Sequence, residues 1–104
     1  MSIVRVLRRF FLSMTLLSLM AQAVAATAPL TLDVYNPGDS AAFAVSSVLV
    51  SGDKEAILID AQFAKTQARQ VVDKIRNRGK NLTTIYISHG DPDYYFGLET
   101  LVQA

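Results

Sequence analysis

AFAVSSVLVSGDKEAILID, residues 42 to 60, decides the fold class. Two apolar, β-branched runs, Ala42 to Ser51 and Glu55 to Asp60, are joined by Gly52-Asp53-Lys54, and so short a polar link predicts an antiparallel hairpin. Upstream, Leu30 to Tyr35 alternates Leu30, Leu32 and Val34 with Thr31, Asp33 and Tyr35, the period of a half-buried strand. Asn36-Pro37-Gly38-Asp39 then supplies turn chemistry. Downstream the period lengthens. Ala64, Ala68, Val71, Val72 and Ile75 make one apolar stripe among charged residues, which predicts an amphipathic helix. Arg76, Arg78 and Gly79 mark its end, the arginines by opposing the dipole and the glycine by accepting a left-handed cap. Thr84 to Ser88 (TIYIS) predicts a further strand, Asn81-Leu82-Thr83 a solvated loop before it, and Leu98 to Ala104 the start of a second helix. The order strand, hairpin, helix, strand belongs to a layered α/β architecture, and a polar cluster lies just past the last strand, where such folds collect ligands.

Composition narrows the function. The chain has 104 residues, no cysteine, ten basic and nine acidic side chains. Seventeen of the first 25 residues are apolar and three are arginine, so the remaining 79 carry a small net negative charge. A basic nucleic-acid-binding domain and a disulfide-stapled mini-protein are excluded. Arg5, Arg8 and Arg9, the apolar run Phe10 to Met20 and the small residues Ala21 to Ala28 form the three-part pattern of a secretory leader, with cleavage after Ala25. The run of about 11 residues is short of the roughly 20 that span a bilayer. Residues 1–25 are therefore expected to be a signal peptide and 26–104 a periplasmic or secreted domain, free of the membrane after cleavage.

Chemistry concentrates in HGDPD. His89, Asp91 and Asp93 stand at i, i+2 and i+4, and in a locally extended segment all three project on one side. One imidazole and two carboxylates suit Zn²⁺, Mn²⁺ or Fe²⁺. The same residues also suit a solvated strand-to-helix turn in which an acid caps the next helix. No glycine-rich phosphate loop follows any strand, and Ser88 beside His89 has no oriented third member, so neither nucleotide binding nor a nucleophilic triad has support.

ILIDAQF at Ile57 to Phe63, the helix ending at Gly79 and YISHGDPDYYFGLE at Tyr86 to Glu99 together resemble the opening of the metallo-β-lactamase superfamily, whose signature is H-x-H-x-D-H after a strand. The resemblance covers Val45 to Ala104. It implies the first part of an αββα sandwich (antiparallel hairpin, helix, strand, metal-motif loop), an amino-terminal fragment of about a third of a family domain. His89 matches the first histidine, a metal ligand, and Asp93 the aspartate that binds metal and orients the attacking water, the catalytic role. Asp91 stands in place of the second histidine and can ligate through oxygen. Tyr94 replaces the last histidine, and Asp60 matches an acid that supports the site without ligating; Gly97 fits the glycine region after the motif. The resemblance further implies one or two Zn²⁺ ions in the complete domain, or another divalent metal, and hydrolysis of a small-molecule substrate; this chain, as a truncated copy, is expected to be inactive by itself. It leaves the oligomeric state open. The substitutions at Asp91 and Tyr94 set an alternative beside it: a secreted binding or structural domain that keeps the fold without metal or catalysis.

Overall fold

The computed structural model describes Ile3 and residues 28–104. The leader and its cleavage point therefore lie outside the described residues, Ile3 excepted. The described chain runs β1 (Thr31–Tyr35), a single 3-10 turn at Gly38–Ser40, β2 (Ser47–Ser51), β3 (Glu55–Ile59), α1 (Lys65–Arg78), β4 (Asn81–Tyr86), α2 (Pro92–Tyr95) and α3 (Leu98–Val102). The four strands form one sheet in the order β1-β2-β3-β4. β1 with β2 and β2 with β3 are antiparallel. β3 and β4 are parallel, which requires the crossover that α1 provides.

Each element has a local cause. Gly52 N–H donates to the Glu55 carbonyl at 2.8 Å and closes the hairpin. α1 buries Ala68, Val71 and Val72 of the predicted stripe on the sheet; Ile75 is partly buried, and Ala64 precedes the helix and is exposed. It stops at Gly79, which takes φ +62° and gives its N–H to the Arg76 carbonyl. An added Cβ there meets nothing, so glycine is required by backbone conformation and not by space. Leu49, Ala56 and Leu58 of the sheet, Ala61, the α1 stripe and Leu101 of α3 make the core.

Two local readings change. β2 begins at Ser47, not Ala42: β1 ends its pairing at Tyr35 opposite Ser47, and Pro37 just beyond has no N–H to continue the ladder. Residues 42–46 form a loop, held by Asn36 Nδ2 donating to the Ala44 carbonyl (3.1 Å) and to Ser46 Oγ (2.8 Å). The segment Asn81-Leu82-Thr83 is not a loop but the start of β4. Asn81 N–H donates to the Lys54 carbonyl at 2.9 Å, and the ladder runs from Glu55 opposite Asn81, with an irregularity between Ala56 and Ile57.

The helices cover one face of the sheet only. Cross-strand pairing places Leu32, Val50, Ile57 and Thr84 in one row, and Val34, Val48, Ile59 and Tyr86 in the next. This face is apolar, yet Leu32 is 69% exposed, Val34 58% and Tyr86 59%. The helices lie on the other face, over the row of Asp33, Leu49, Leu58 and Ile85. In β1 it is thus the polar alternation that turns toward α1. Asp33 accepts from Lys74 Nζ at 2.7 Å and from Arg78 at 2.7–2.8 Å, and the Tyr35 hydroxyl donates to Gln70 Oε1. The alternation sets the period, but charge partners on α1 set the facing.

Asp33 carries a pH signature. Hydrogen bonds from Lys74 and then Arg78 hold its carboxyl below the ordinary aspartate range, against a smaller opposing effect of burial. A lowered folded-state pKa gives stability that is present above the unfolded value of about 3.9 and lost as pH falls through the folded one. The Asp33→Asn variant is expected to lose about 1 kcal/mol at pH 7. Its urea midpoint should also fall less steeply than that of the parent chain on acidification below about pH 4. Parallel midpoint-against-pH curves for the two proteins would remove the role assigned to Asp33.

Candidate functional site

The polar cluster sits where β3 and β4 end side by side. Asp60, the residue after β3, is 6% exposed and takes φ +65°, and Gln62, 1% exposed, takes φ +68°. Left-handed backbone is uncommon for residues other than glycine and costs about 1 kcal/mol or more, so two in three residues call for compensation. Compensation comes from hydrogen bonds. Asp60 N–H donates to the Tyr86 carbonyl at 2.8 Å, extending the parallel ladder past β3. Its Oδ1 accepts from Ser88 N–H at 2.7 Å and its Oδ2 from Ser88 Oγ at 2.6 Å. The carboxylate thereby fixes the residue before His89 through two bonds of the charge-assisted kind.

Around that clasp the next residues tie the motif to the sheet. Ala61 N–H donates to the Tyr94 carbonyl and Gly97 N–H to the Gln62 carbonyl, each at 2.8 Å. The Gln62 amide donates to the Val45 carbonyl at 2.7 Å and to Ser47 Oγ at 2.8 Å, and Ser47 Oγ donates onward to the Asp60 carbonyl at 2.8 Å. Gln62 Oε1 is buried without a partner among the described residues. Gly97 is packed so tightly that a Cβ would lie 2.3 Å from the Ala61 carbonyl oxygen and 2.9 Å from Ala68 Cβ. Space is the reason for glycine here, since its φ of −77° suits any residue.

The motif itself divides. Gly90 has open space around it, and Asp91 is extended (φ −80°, ψ 143°) as the residue preceding α2. Pro92 opens α2, in keeping with its preference for the first helical turn. The segment is thus extended only to Asp91 and helical from Pro92, so the three side chains do not project together. His89 Nδ1 lies 3.1 Å from Asp91 Oδ2, and the His89 ring stacks on Tyr94 with centroids 4.9 Å apart. Asp93, one helical step later, lines a groove with Asp60 and Tyr94. Asp91 precedes the helix but makes no side-chain cap. Among the described residues, no three His, Cys, Asp or Glu side chains are gathered closely enough to hold a metal ion.

A metal-independent comparison decides the family. The family model described as the metallo-beta-lactamase superfamily matches residues 41–104, more than half of the chain. The chain belongs to the metallo-beta-lactamase superfamily. No curated protein matches it. The four-strand sheet with helices on one side agrees with part of that superfamily's fold. The superfamily generally binds zinc and acts on small molecules, and His89, Asp91 and Asp93 have the donor chemistry for it. Their arrangement falls short: a catalytic zinc takes three protein ligands, and here two are together. What these residues do by themselves is narrower. Asp60 sets the position of Ser88 and so of the His89 backbone, while Asp91 and Tyr94 set the orientation of its ring.

Ser47, Gln62 and Ser88 were not singled out by sequence as parts of this site. Ser88 lies beside the motif, but the partner that gives it meaning, Asp60, is 28 residues away. Gln62 lies within the ILIDAQF run, but nothing in its residue type marks its role, because its left-handed backbone becomes necessary only once β3 and α1 are in place.

Two substitutions check the clasp. Asp60→Ala leaves Ser88 N–H without its acceptor and is expected to cost roughly 1–3 kcal/mol, with Ser88→Ala costing about half as much. Gly97→Ala is expected to cost about 1–3 kcal/mol by overpacking against the Ala61 carbonyl. Urea unfolding measures all three; a neutral Gly97→Ala would contradict the tight approach described above.

Proposed function

We propose that this chain is part of an exported hydrolase of the superfamily, acting on a small molecule with the help of a divalent metal, zinc in the first instance. The observation that carries the reading is the placement of His89-Gly90-Asp91-Pro92-Asp93 at the paired ends of β3 and β4, with Asp60 clasping the residue before it. His89, Asp91 and Asp93 are the proposed metal donors, with Asp93 also the catalytic carboxylate that orients water. Asp60 and Tyr94 act as supports. A bound cation would supply a hydroxide at neutral pH and polarise the bond to be cut. Because only His89 and Asp91 are together, the proposal requires another donor: Asp93, on rearrangement of the single turn of α2, or a side chain from outside the chain.

A second reading has an observation of its own. His89 is already engaged by Asp91 and stacked on Tyr94, which suits a secreted binding or structural domain that uses no metal. Zinc content separates the two. After dialysis against zinc at low concentration, the chain is expected to retain about one ion, and His89→Ala and Asp93→Ala to lose it. Equal zinc in the parent and in His89→Ala, or none in either, would overturn the hydrolase reading in favour of the second.

A further inference from the structure

The uncovered face of the sheet is complementary to itself. Its two rows are Leu32, Val50, Ile57 and Thr84, and Val34, Val48, Ile59 and Tyr86, with β1 and β4 at the edges and β2 and β3 between them. Leu32, Val34, Ile57, Thr84 and Tyr86 are exposed, and Val48, Val50 and Ile59 are half-buried. None of the eight is charged; Glu55, on the same alternation of β3, stands at the hairpin rim. At about 4.8 Å between strands and about 3.3 Å per residue, such a four-stranded sheet spans roughly 300 Å² before side-chain relief is counted. A contiguous apolar patch of that order marks an interaction surface.

Side-chain size selects what fits it. A second copy can be laid on this face with two-fold symmetry and aligned sheets in two ways. An axis across the strands sets each strand on itself, and the middle strands then meet like on like, Val48 on Val50 and Ile57 on Ile59. An axis along the strands, midway between β2 and β3, sets β1 over the second copy's β4 and β2 over its β3. Leu32 then faces Thr84, Val34 faces Tyr86, Val50 faces Ile57 and Val48 faces Ile59. Every facing pair joins a larger side chain to a smaller one, the arrangement in which layers interdigitate. With no charge in either row, self-pairing brings no like charges together. The two copies withdraw about 1,000 Å² of surface from water, the area at which a specific interface begins.

The axis along the strands has a chemical consequence. It preserves strand direction, so the β3 and β4 ends of both copies, each followed by its own His89-Gly90-Asp91-Pro92-Asp93, fall at one end of the pair. Stacked sheets lie about 10 Å apart, a gap that side chains from both sides can bridge. Within one copy only His89 and Asp91 are together.

We propose that two copies of this chain pack sheet to sheet with their strands running the same way, covering both rows and bringing the two motifs to one end, where each supplies the donor that the other lacks. The shared donors deepen the hydrolase reading and rest on it for the metal; the pairing of the faces does not.

Sedimentation equilibrium of the whole chain is the test, with circular dichroism to confirm that each variant folds. The parent is expected to dimerise with a Kd of about 10 μM. Leu32→Glu and Thr84→Lys, both at exposed positions, should each weaken association about ten-fold or more. An equimolar mixture of the two should regain it to within about three-fold, because a facing pair then joins opposite charges. Zinc should tighten association of the parent about ten-fold. A parent that stays monomeric at about 100 μM leaves the face to another polypeptide and overturns the pairing. A dimer indifferent to both substitutions overturns it too. A mixture no tighter than its components overturns the orientation, and a dimer that binds zinc without tightening overturns the shared donors. Zinc held by a monomeric chain sinks the pairing and leaves the hydrolase reading standing. A dimer through this face that binds no zinc upholds the pairing and sinks that reading.

Discussion

The Asp60 carboxylate is the hinge pin of this structure. Its two oxygens take both hydrogen-bonding groups of Ser88, one from the backbone and one from the side chain, across 28 residues of sequence. Without that closure the residue before His89 would lose its side-chain tie to the end of β3, leaving backbone bonds alone: Asp60 N–H to Tyr86, Ala61 N–H to Tyr94 and Gly97 N–H to Gln62. Left-handed backbone at Asp60 and again at Gln62 is the conformational cost of aiming the carboxylate inward and then turning the chain into α1. The bonds that repay it also align the motif: Tyr94 on Ala61, Gly97 on Gln62, and the Gln62 amide on the loop before β2.

Local pattern accounts for much of the fold. The hairpin is legible in residues 42 to 60 because turn chemistry and β-branched runs are local properties, and α1 is legible from its stripe and its Gly79 stop. What escaped was nonlocal. β4 gains Asn81 to Thr83 only because β3 offers a parallel partner, and β1 presents Asp33 to α1 because Lys74 and Arg78 wait there. Neither partner can be inferred from the strand's own alternation.

The site divides along the same line. Residue types in H-x-D-x-D are visible in the sequence, and so is Asp60 through the family resemblance. The side-chain arrangement is not, because Pro92 starts a helical turn that sends Asp93 toward the groove and leaves His89 with Asp91 and Tyr94. Alternation at i, i+2 and i+4 converges only while the backbone stays extended, and a proline suited to a first helical turn ends that condition.

The two partly exposed rows running from Leu32 to Thr84 and from Val34 to Tyr86 have a thermodynamic consequence. A sheet that keeps one apolar side hydrated in the native state exposes less new hydrocarbon when it melts. The heat-capacity increment and the denaturant sensitivity per residue both scale with that newly wetted area. Calorimetry on residues 28–104 would therefore register a shallower stability curve than a fully sandwiched domain of equal length, until something apolar is laid over those eight side chains.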